Sequence, residues 1–471
     1  MHMKQVLIVD YGLMGIFNLR TLKFVRYLSS FGWQPVILSA RHPYGKTYDR
    51  TILEQIPSRT QIYQTATLEP VRLLKWRHGL KTVLRRNRIC EAGAHLAGTD
   101  GADVNEVDRL RRGLPGKVAR WVSRCLLIPD HAIGWLPFAL ARALPLLWRN
   151  QCQLIYTVSH PNSAHLVGLF LKKLTGKPWV ADFKDAWVTG QRGVPAAPRW
   201  RVWIERRMEA AAMTAADRIV SVSRPIVHSL TEVYGRNGRG DRFSVITNGF
   251  DPDDFTGMER GERLSGRFSI AYLGTLWDDI SCRTFLQALD ELVTERRDLL
   301  GEITAFFIGN IRGQREREWL QGRKFRADVR FRSRVPHRMS LRYMKAADAL
   351  LLLINRSERC QGTYTQKLFQ YLGAGRPILG LVPSGAAADL IRETGAGVVA
   401  DPDDRQAIKQ TIVDLYDRFL TGRRTTAADA DFLRRFENKR LTGDLAGIFD
   451  HLYDRLPPAD DEVRYHANCR A

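Results

Sequence analysis

Residues 163–187 read SAHLVGLFLKKLTGKPWVADFKDAW. Residues 163–174 carry apolar side chains at helical spacing, and the TGKP turn leads into a short apolar strand at 178–181. A helix that returns through a tight turn to a buried strand is the repeating unit of a parallel α/β sheet. Three charged residues follow that strand: Asp182, Lys184 and Asp185. Either the strand reaches solvent there, or its carboxyl end carries a functional site.

The same alternation of strands and helices runs through the whole chain of 471 residues. In the first half, the predicted strands are 5–9, 33–39, 154–158, 178–181 and 218–222, and the predicted helices include 19–31 and 163–174. In the second half, the predicted strands are 269–273, 303–308, 349–354 and 378–381, and the predicted helices are 283–296 and 366–372. Length and pattern together predict two α/β domains with parallel sheets, divided near 248–266.

The composition restricts the class of partner and the compartment. A net charge of +22 suits nucleic acid, anionic lipid or phosphorylated ligands, although an arginine-rich genome would give the same charge. No helix-turn-helix, RNA-recognition or zinc pattern accompanies the charge, so we predict no nucleic-acid partner. The six cysteines form no CxxC pair, which fits a reducing cytoplasm. No apolar run approaches the roughly 20 residues that span a bilayer, so we predict a cytoplasmic protein.

One segment departs from the alternation. Residues 71–88, VRLLKWRHGLKTVLRRNR, contain seven Lys or Arg and no acid, with apolar residues at helical spacing. A basic amphipathic helix of this kind suits an anionic membrane surface, which would place the protein at the inner face of the membrane. A core-packed helix with a basic outer face, or a helix facing phosphate, would show the same pattern. Residues 90–117 are polar and rich in glycine and predict a mobile loop.

Several glycines follow predicted strands, at the edge where α/β sheets bind ligands. Gly15 lies in the loop DYGLMG after the first strand, and Gly274 with Thr275 ends the first strand of the second half. Gly309 ends the next strand of that half. Glycines there allow the backbone to approach a diphosphate closely, and a plain turn is the alternative for each.

Two cations and an amide accompany these turns in the second half. Arg283 begins the helix after Gly274, where backbone amides plus a guanidinium suit a diphosphate. Lys367 lies near the start of helix 366–372, where the helix dipole disfavours a cation unless an anion binds. Gln370 lies about one turn later, within reach of a sugar hydroxyl. An ordinary surface lysine is the alternative for Lys367.

Two further residues are candidates for the acceptor side of a site. His165 lies on the helix before strand 178–181 and either faces the cleft or packs in the helix interface. Trp135, in IPDHAIGWLPF, either lines an acceptor groove or packs in the core. The acidic pairs Asp253-Asp254 and Asp278-Asp279 read as turns, and no metal-ligand set stands out, so we predict neither a metal nor a cofactor.

The order of motifs resembles glycosyltransferase family 4, whose members are retaining nucleotide-sugar enzymes of the GT-B fold. The motifs that carry the resemblance are ADFKDAW (181–187), DRIVSVS (217–223), VITNGFDPDDF (245–255), YLGTL (272–276), ADALLLLI (347–354), KLFQYLGAGRPILGL (367–381) and ETGAGVVADPDD (393–404). Their order and spacing cover most of the chain. The ADFKDAW stretch looks like a variant of a family pattern that ends a strand at the cleft.

The resemblance implies an architecture and a set of roles. Residues 1–250 would form the acceptor-side Rossmann-like domain and residues 266–430 the nucleotide-sugar domain. Residues 431–456, with a helix from 439, would cross back to the first domain, and 457–471 would form a tail. Asp182, Lys184 and Asp185 would line the reaction chamber, with Asp185 as the foremost candidate.

One departure from the family pattern concerns the donor. The family often carries two glutamates eight positions apart, and here those positions hold Gly362 and Gln370.

The resemblance as a whole implies that the chain moves a sugar from a nucleotide diphosphate to an acceptor hydroxyl with retention, in cell-surface polysaccharide or glycoconjugate synthesis. The acceptor would be a saccharide or a lipid-linked saccharide. Glycosylation of a soluble secondary metabolite, or a non-catalytic nucleotide-sugar-binding scaffold, are the alternatives.

Overall fold

The computed structural model describes most of the chain. The described residues are 3–13, 18–41, 53–68, 127–149, 151–185, 187–188, 198–235, 240–258, 263–356, 362, 364–422 and 430–456. The predictions for the basic segment 71–88, the loop 90–117, the tail 457–471 and Gly15 lie outside these residues.

The first domain is built on a seven-stranded sheet in which all neighbouring strands are parallel. Its strands are β1 (Lys4–Val9), β2 (Trp33–Ala40), β3 (Gln61–Thr65), β4 (Leu154–Val158), β5 (Trp179–Phe183), β6 (Arg218–Ser221) and β7 (Phe243–Val245). Their order across the sheet is β3-β2-β1-β4-β5-β6-β7. Central strands such as β4 are buried throughout, which explains their continuous apolar sequence.

Helices cover this sheet, among them one at each of the two predicted helices, 19–31 and 163–174. They are α1 (Leu19–Tyr27), α2 (Leu136–Trp148), α3 (Ser163–Thr175), α4 (Arg199–Ala215) and α5 (Arg224–Tyr234). The predicted helix 19–31 is divided, because α1 ends at Tyr27 and a 3-10 helix, Leu28–Phe31, completes it.

Strand β5 is longer than the sequence predicts. The predicted strand ends at Ala181, whereas β5 continues through Asp182 and Phe183, both fully buried. A buried carboxylate is costly unless it is paired. The Arg20 guanidinium of α1 lies 2.8 Å from Asp182 and is itself buried. This ion pair allows the buried strand to include Asp182.

The second domain repeats the design with a parallel sheet of six strands in the order β10-β9-β8-β11-β12-β13. The strands are β8 (Phe268–Leu273), β9 (Ile303–Ile308), β10 (Asp328–Arg332), β11 (Ala349–Leu353), β12 (Ile378–Leu381) and β13 (Gly397–Ala400). The helices from there to the end are α6 (Arg283–Glu295), α7 (Gln314–Leu320), α8 (His337–Ala346), α9 (Gln366–Ala374), α10 (Ala386–Glu393), α11 (Arg405–Leu420), α12 (Ala430–Leu433) and α13 (Asn438–Tyr453).

Local capping explains where α9 begins. The Thr365 side chain accepts a hydrogen bond from the Leu368 amide, as N-cap threonines do. The Tyr371 hydroxyl accepts from the Leu273 amide at 3.1 Å and so joins the helix to the end of β8. Helix α9 therefore lies beside the carboxyl end of β8.

The segment between the domains is anchored to the first one. Lys23 of α1 is buried and donates to Asp251 at 2.8 Å and to Asp254 at 2.6 Å. The acidic pair Asp253-Asp254 is thus more than a turn, since Asp254 neutralises a buried cation. The chain crosses back through α13, whose Leu445 and Phe449 pack in the core of the first domain.

Loops at the carboxyl ends of strands in the two sheets come into contact. In each sheet the strand order reverses beside the first strand, at β1/β4 and at β8/β11, which is where such folds bind ligands. Ser223, after β6, donates to the carbonyl oxygen of Gly362 in the other domain at 2.7 Å. The predicted fold class is confirmed. Among the described residues, no helix has the length and apolar character needed to cross a membrane.

Candidate functional site

Polar side chains gather where three neighbouring strands of the first sheet end. Asp10 follows β1, His160 follows β4, and Lys184 with Asp185 follows β5. Because β4 lies between β1 and β5, these residues meet at one edge of the sheet. In the described part of the chain, His, Cys, Asp and Glu form no group of three that could hold a metal ion.

Asp10 shapes the loop after β1. Its carboxylate is buried, and it accepts from the Gly12 amide at 2.9 Å and from the Asn18 side chain at 2.8 Å. Asn18 in turn caps the start of α1. Asp10 therefore holds the loop and the helix at the end of β1, and its negative charge also acts on Lys184.

Asp182 lies within β5, two residues before Lys184, and links the sheet to α1. Its carboxylate is fully buried and binds Arg20 at 2.8 Å and the Tyr156 hydroxyl at 2.5 Å. Arg20 also donates to the carbonyl oxygen of Thr247. This pairing favours a structural role for Asp182 over the predicted contact with a substrate.

Lys184 and Asp185 lie closer to solvent, and both are half-buried. Burial lowers the pKa of Lys184 to about 8, although Asp10, Asp182 and Asp185 oppose that shift. The Asp185 carboxylate lies 3.4 Å from His160 Nε2, and each of these side chains is 47% exposed. Of the three predicted charges, Lys184 and Asp185 reach solvent, whereas Asp182 does not.

His165 and Trp135 are both fully buried. The His165 ring stacks on Phe183 at 4.0 Å, and its Nδ1 lies 2.8 Å from the Thr157 hydroxyl. Burial lowers the pKa of His165 to about 3, so the ring is neutral at physiological pH. Trp135 donates to the Thr65 hydroxyl at 2.7 Å. Their burial favours packing over the acceptor-side roles.

Lys367 faces the glycine turns of the second domain. Gly274 and Gly309 have φ of 143° and 147°, where residues with a side chain are strained. A Cβ on Gly274 would overlap the Lys367 side chain, and one on Gly309 would overlap the Gly274 carbonyl oxygen. Two glycines and a lysine therefore converge at the ends of β8 and β9, at the start of α9.

Tyr272 holds the Lys367 ammonium in place. The phenol donates its proton to the carbonyl oxygen of Thr275 at 3.0 Å, so its oxygen accepts from Lys367 Nζ at 2.7 Å. The ammonium also lies 4.3 Å from the centre of the Tyr272 ring, a favourable cation–π distance. Burial lowers the pKa of Lys367 to about 8. Burial and the helix dipole both disfavour an ammonium at the start of a helix, and a bound anion would offset both effects. The position of Lys367 therefore suits anion binding.

Arg283 begins α6 at the predicted position, but its guanidinium pairs with a carboxylate of the chain itself. Its Nε lies 2.8 Å from Glu316, which is buried. The same carboxylate accepts from the Cys282 amide at 2.8 Å and from the Ser281 hydroxyl at 2.9 Å. The start of α6 thus already holds an anion from the chain itself. This pairing favours a structural role for Arg283 over the predicted contact with a diphosphate.

The remaining predicted donor residues are near the same edge. Thr275 is half-buried after Gly274, and Gln370 is half-buried one turn into α9. Gly362 lies against α5 of the first domain, where a Cβ would come within 3.2 Å of Pro225. In this chain Gly362, at the position where the family often has a glutamate, makes a contact between the domains.

Sequence reasoning missed four residues of these two edges: Asp10, His160, Tyr272 and Glu316. His160 was available from the sequence, because it comes directly after predicted strand 154–158. Glu316 was not, since its partners lie 33 to 35 residues away along the chain.

Solved structures share this architecture. Anabaena HepE, solved with UDP and glucose, has a TM-score of 0.58 at 14% identity, over 95% of this chain and 100% of that one. Sucrose-phosphate synthase from Thermosynechococcus elongatus has a TM-score of 0.58 at 11% identity, over 96% and 100%. The α,α-trehalose-phosphate synthase (UDP-forming) of Burkholderia xenovorans has a TM-score of 0.59 at 10% identity, over 95% and 100%. The fold is that of the two-domain GT-B class.

Family models then narrow the class. The model described as Glycosyltransferase Family 4 matches residues 94–254, and the model described as Glycosyl transferases group 1 matches residues 267–418. None of the curated protein sequences compared with the chain matches it. The chain belongs to the family 4-like glycosyltransferases, and each model falls on one of its two domains.

Proposed function

We propose that the chain transfers a sugar from a nucleotide-diphosphate donor to an acceptor hydroxyl, with retention at the anomeric carbon. The observation that carries this proposal is Lys367, held by Tyr272 at the start of α9 and directed toward Gly274. UDP or UDP-glucose in the Anabaena HepE structures supports a donor of this kind.

The reaction breaks the bond between the anomeric carbon and the diphosphate oxygen, and forms a bond from the same face to the acceptor oxygen. The departing diphosphate takes the acceptor proton. Negative charge grows on the diphosphate, so a fixed ammonium and backbone amides near Gly274 stabilise the transition state. We propose that Lys367 supplies this charge without a metal, in which case a chelator leaves the transfer rate unchanged.

On the first domain, Lys184, Asp185 and His160 are proposed to hold the sugar and the acceptor. Their half-exposed polar groups can donate to and accept from hydroxyl groups. Asp185, paired with His160, remains the foremost candidate for contact with the reacting sugar.

We further propose that the acceptor is a saccharide or lipid-linked saccharide of cell-surface polysaccharide or glycoconjugate synthesis, which would place the enzyme on the cytoplasmic side of the membrane. The motif order of the family and the basic segment 71–88 support this acceptor. Assays with lipid-linked and free acceptors test it directly.

A second candidate is a nucleotide-sugar-binding scaffold without catalysis. Gly362 and Gln370 supply no carboxylate where the family often has two, and Arg283 is neutralised by Glu316. These observations leave a donor site with fewer charged groups than the family pattern provides.

The test begins with a thermal-shift panel of UDP, GDP, TDP, ADP and CMP. A ligand at about 100 times its dissociation constant should add about 2.7 kcal/mol of stability. We expect a selective shift that Lys367→Ala reduces and the exposed-lysine control Lys324→Ala preserves. Release of nucleotide from the corresponding sugar donor then separates the two candidates. Selective binding without any release would favour the scaffold, and no shift with any nucleotide would contradict both.

A further inference from the structure

The outer face of α4 carries five large exposed residues: Arg199, Trp200, Trp203, Arg206 and Arg207. At 100° per residue they fall within an arc of about 120° on the helix. We call this surface the α4 face. It lies on the first domain, on the helix that follows the candidate-site strand β5.

The acids of α4 lie on its buried side. Its two acids, Glu205 and Glu209, are buried on the inner side. Glu205 pairs with the buried Arg201 at 2.7 Å, and Glu209 accepts from the Trp187 amide at 3.1 Å. All exposed charges of this helix are therefore positive, so the α4 face is complementary to an anionic partner.

The two tryptophans of the α4 face are exposed to solvent. Trp200 is 45% exposed and Trp203 is 56% exposed. The Arg207 guanidinium lies 4.3 Å from the centre of the Trp203 ring. Indole rings beside guanidinium groups are the combination found at the membrane–water interface, where the ring enters the headgroup layer and the cation binds lipid phosphate.

We propose that the α4 face docks the first domain on an anionic lipid membrane. Charge complementarity selects an anionic surface, and the two indole rings select one with an apolar layer beneath the charge, which a nucleic-acid backbone lacks. This inference goes beyond the proposed transfer reaction, and it involves residues separate from segment 71–88. It needs neither donor nor acceptor, so its failure would leave the transfer reaction untouched.

The experiment measures partition of the full chain onto phosphatidylcholine vesicles with and without phosphatidylglycerol. Brominated lipids serve as quenchers of tryptophan fluorescence and report insertion of the rings. The aromatic variant is Trp200→Ser with Trp203→Ser, and its control is Trp148→Ser, which removes a 63% exposed tryptophan at the end of α2. The charge variant is Arg199→Gln, Arg206→Gln and Arg207→Gln, and its control is Arg315→Gln, Arg323→Gln and Lys324→Gln on the second domain.

We expect binding only to the anionic vesicles, with quenching that the aromatic variant loses and the Trp148 control keeps. The charge variant should partition about 100-fold more weakly, since each arginine contributes several-fold near an anionic surface. Quenching that persists in the aromatic variant and disappears in Trp76→Ser would assign the contact to segment 71–88 and overturn the proposal. Concentration-dependent dimerisation that the aromatic variant abolishes would also overturn it, by making the α4 face a protein interface.

Discussion

Lys367 combines a low pKa with a fixed position. Desolvation at the start of α9 favours the neutral amine, whereas the Tyr272 oxygen at 2.7 Å and the Tyr272 ring favour the ammonium. Desolvation lowers the pKa of Lys367 to about 8, close to physiological pH. The charge that a diphosphate would need is therefore present below that pH and lost above it.

Nucleotide affinity should consequently fall as the pH rises through about 8. If only the ammonium form binds the diphosphate, the affinity falls up to about tenfold per pH unit above this value. Calorimetric titration with UDP across this range measures the slope. Lys367→Gln should give weaker binding with a flat profile, and an equal slope in that variant would assign the titration to another group.

At the scale of elements, the start of α6 shows how the chain neutralises its own helix dipole. Glu316 of α7 lies at the N-terminus of α6, where it accepts from the Cys282 amide and pairs with Arg283. A carboxylate at a helix N-terminus is stabilising, and one that is buried needs its partners. The pair therefore joins α6 to α7 and completes the fold of the second domain.

Arg283→Ala should lower the free energy of unfolding by about 1–3 kcal/mol, because Glu316 loses a charged hydrogen bond while buried. The stabilisation by UDP should be unchanged, since Arg283 is committed to Glu316. Urea unfolding with and without UDP measures both quantities, with the exposed neighbour Arg315→Ala as control. Loss of the UDP effect at unchanged stability would restore the direct role in donor binding that the sequence predicted.

At the scale of the whole molecule, the two domains meet through Ser223 and Gly362. The Ser223 hydroxyl accepts from the Ile226 amide at the start of α5 and donates across the cleft to the Gly362 carbonyl oxygen. The absence of a side chain at Gly362 lets the two segments approach. Contacts between domains of one chain are commonly limited and allow relative motion.

Gly362→Ala should shift the molecule toward a more open arrangement. Its Cβ would lie 3.2 Å from Pro225, closer than ordinary contact, so the domains must separate by a few tenths of an ångström or lose the Ser223 hydrogen bond. A loss of about 1 kcal/mol changes the closed-to-open ratio about fivefold. Fluorescence transfer between labels on the two domains measures this, and Gly447→Ala, where a Cβ meets nothing within 4 Å, is the control. Unchanged transfer in both variants would contradict a role for the Ser223–Gly362 contact in holding the domains together.

Features set by local sequence could be predicted, whereas those set by distant partners could not. Buried parallel strands were readable because they are apolar on both faces, and α9 was readable from the apolar spacing of KLFQYL and the GAGRP stop. The extension of β5 through Asp182 was not readable, because Arg20 lies 162 residues away in the chain. The pairing of His160 with Asp185 depends on β4 lying beside β5, which no local pattern states.

The sequence by itself determined the two α/β domains, the glycine-bearing strand ends and Lys367 at a helix start, because backbone periodicity and helix or turn signals are local properties. Only the tertiary structure decided which charges remain available. Asp182 and Arg283 pair with partners from distant segments, whereas Lys184, Asp185 and Lys367 lie half-buried at the carboxyl ends of β5 and β8. The energy of a charge depends on the atoms that surround it, and folding brings those atoms together from positions far apart in the sequence.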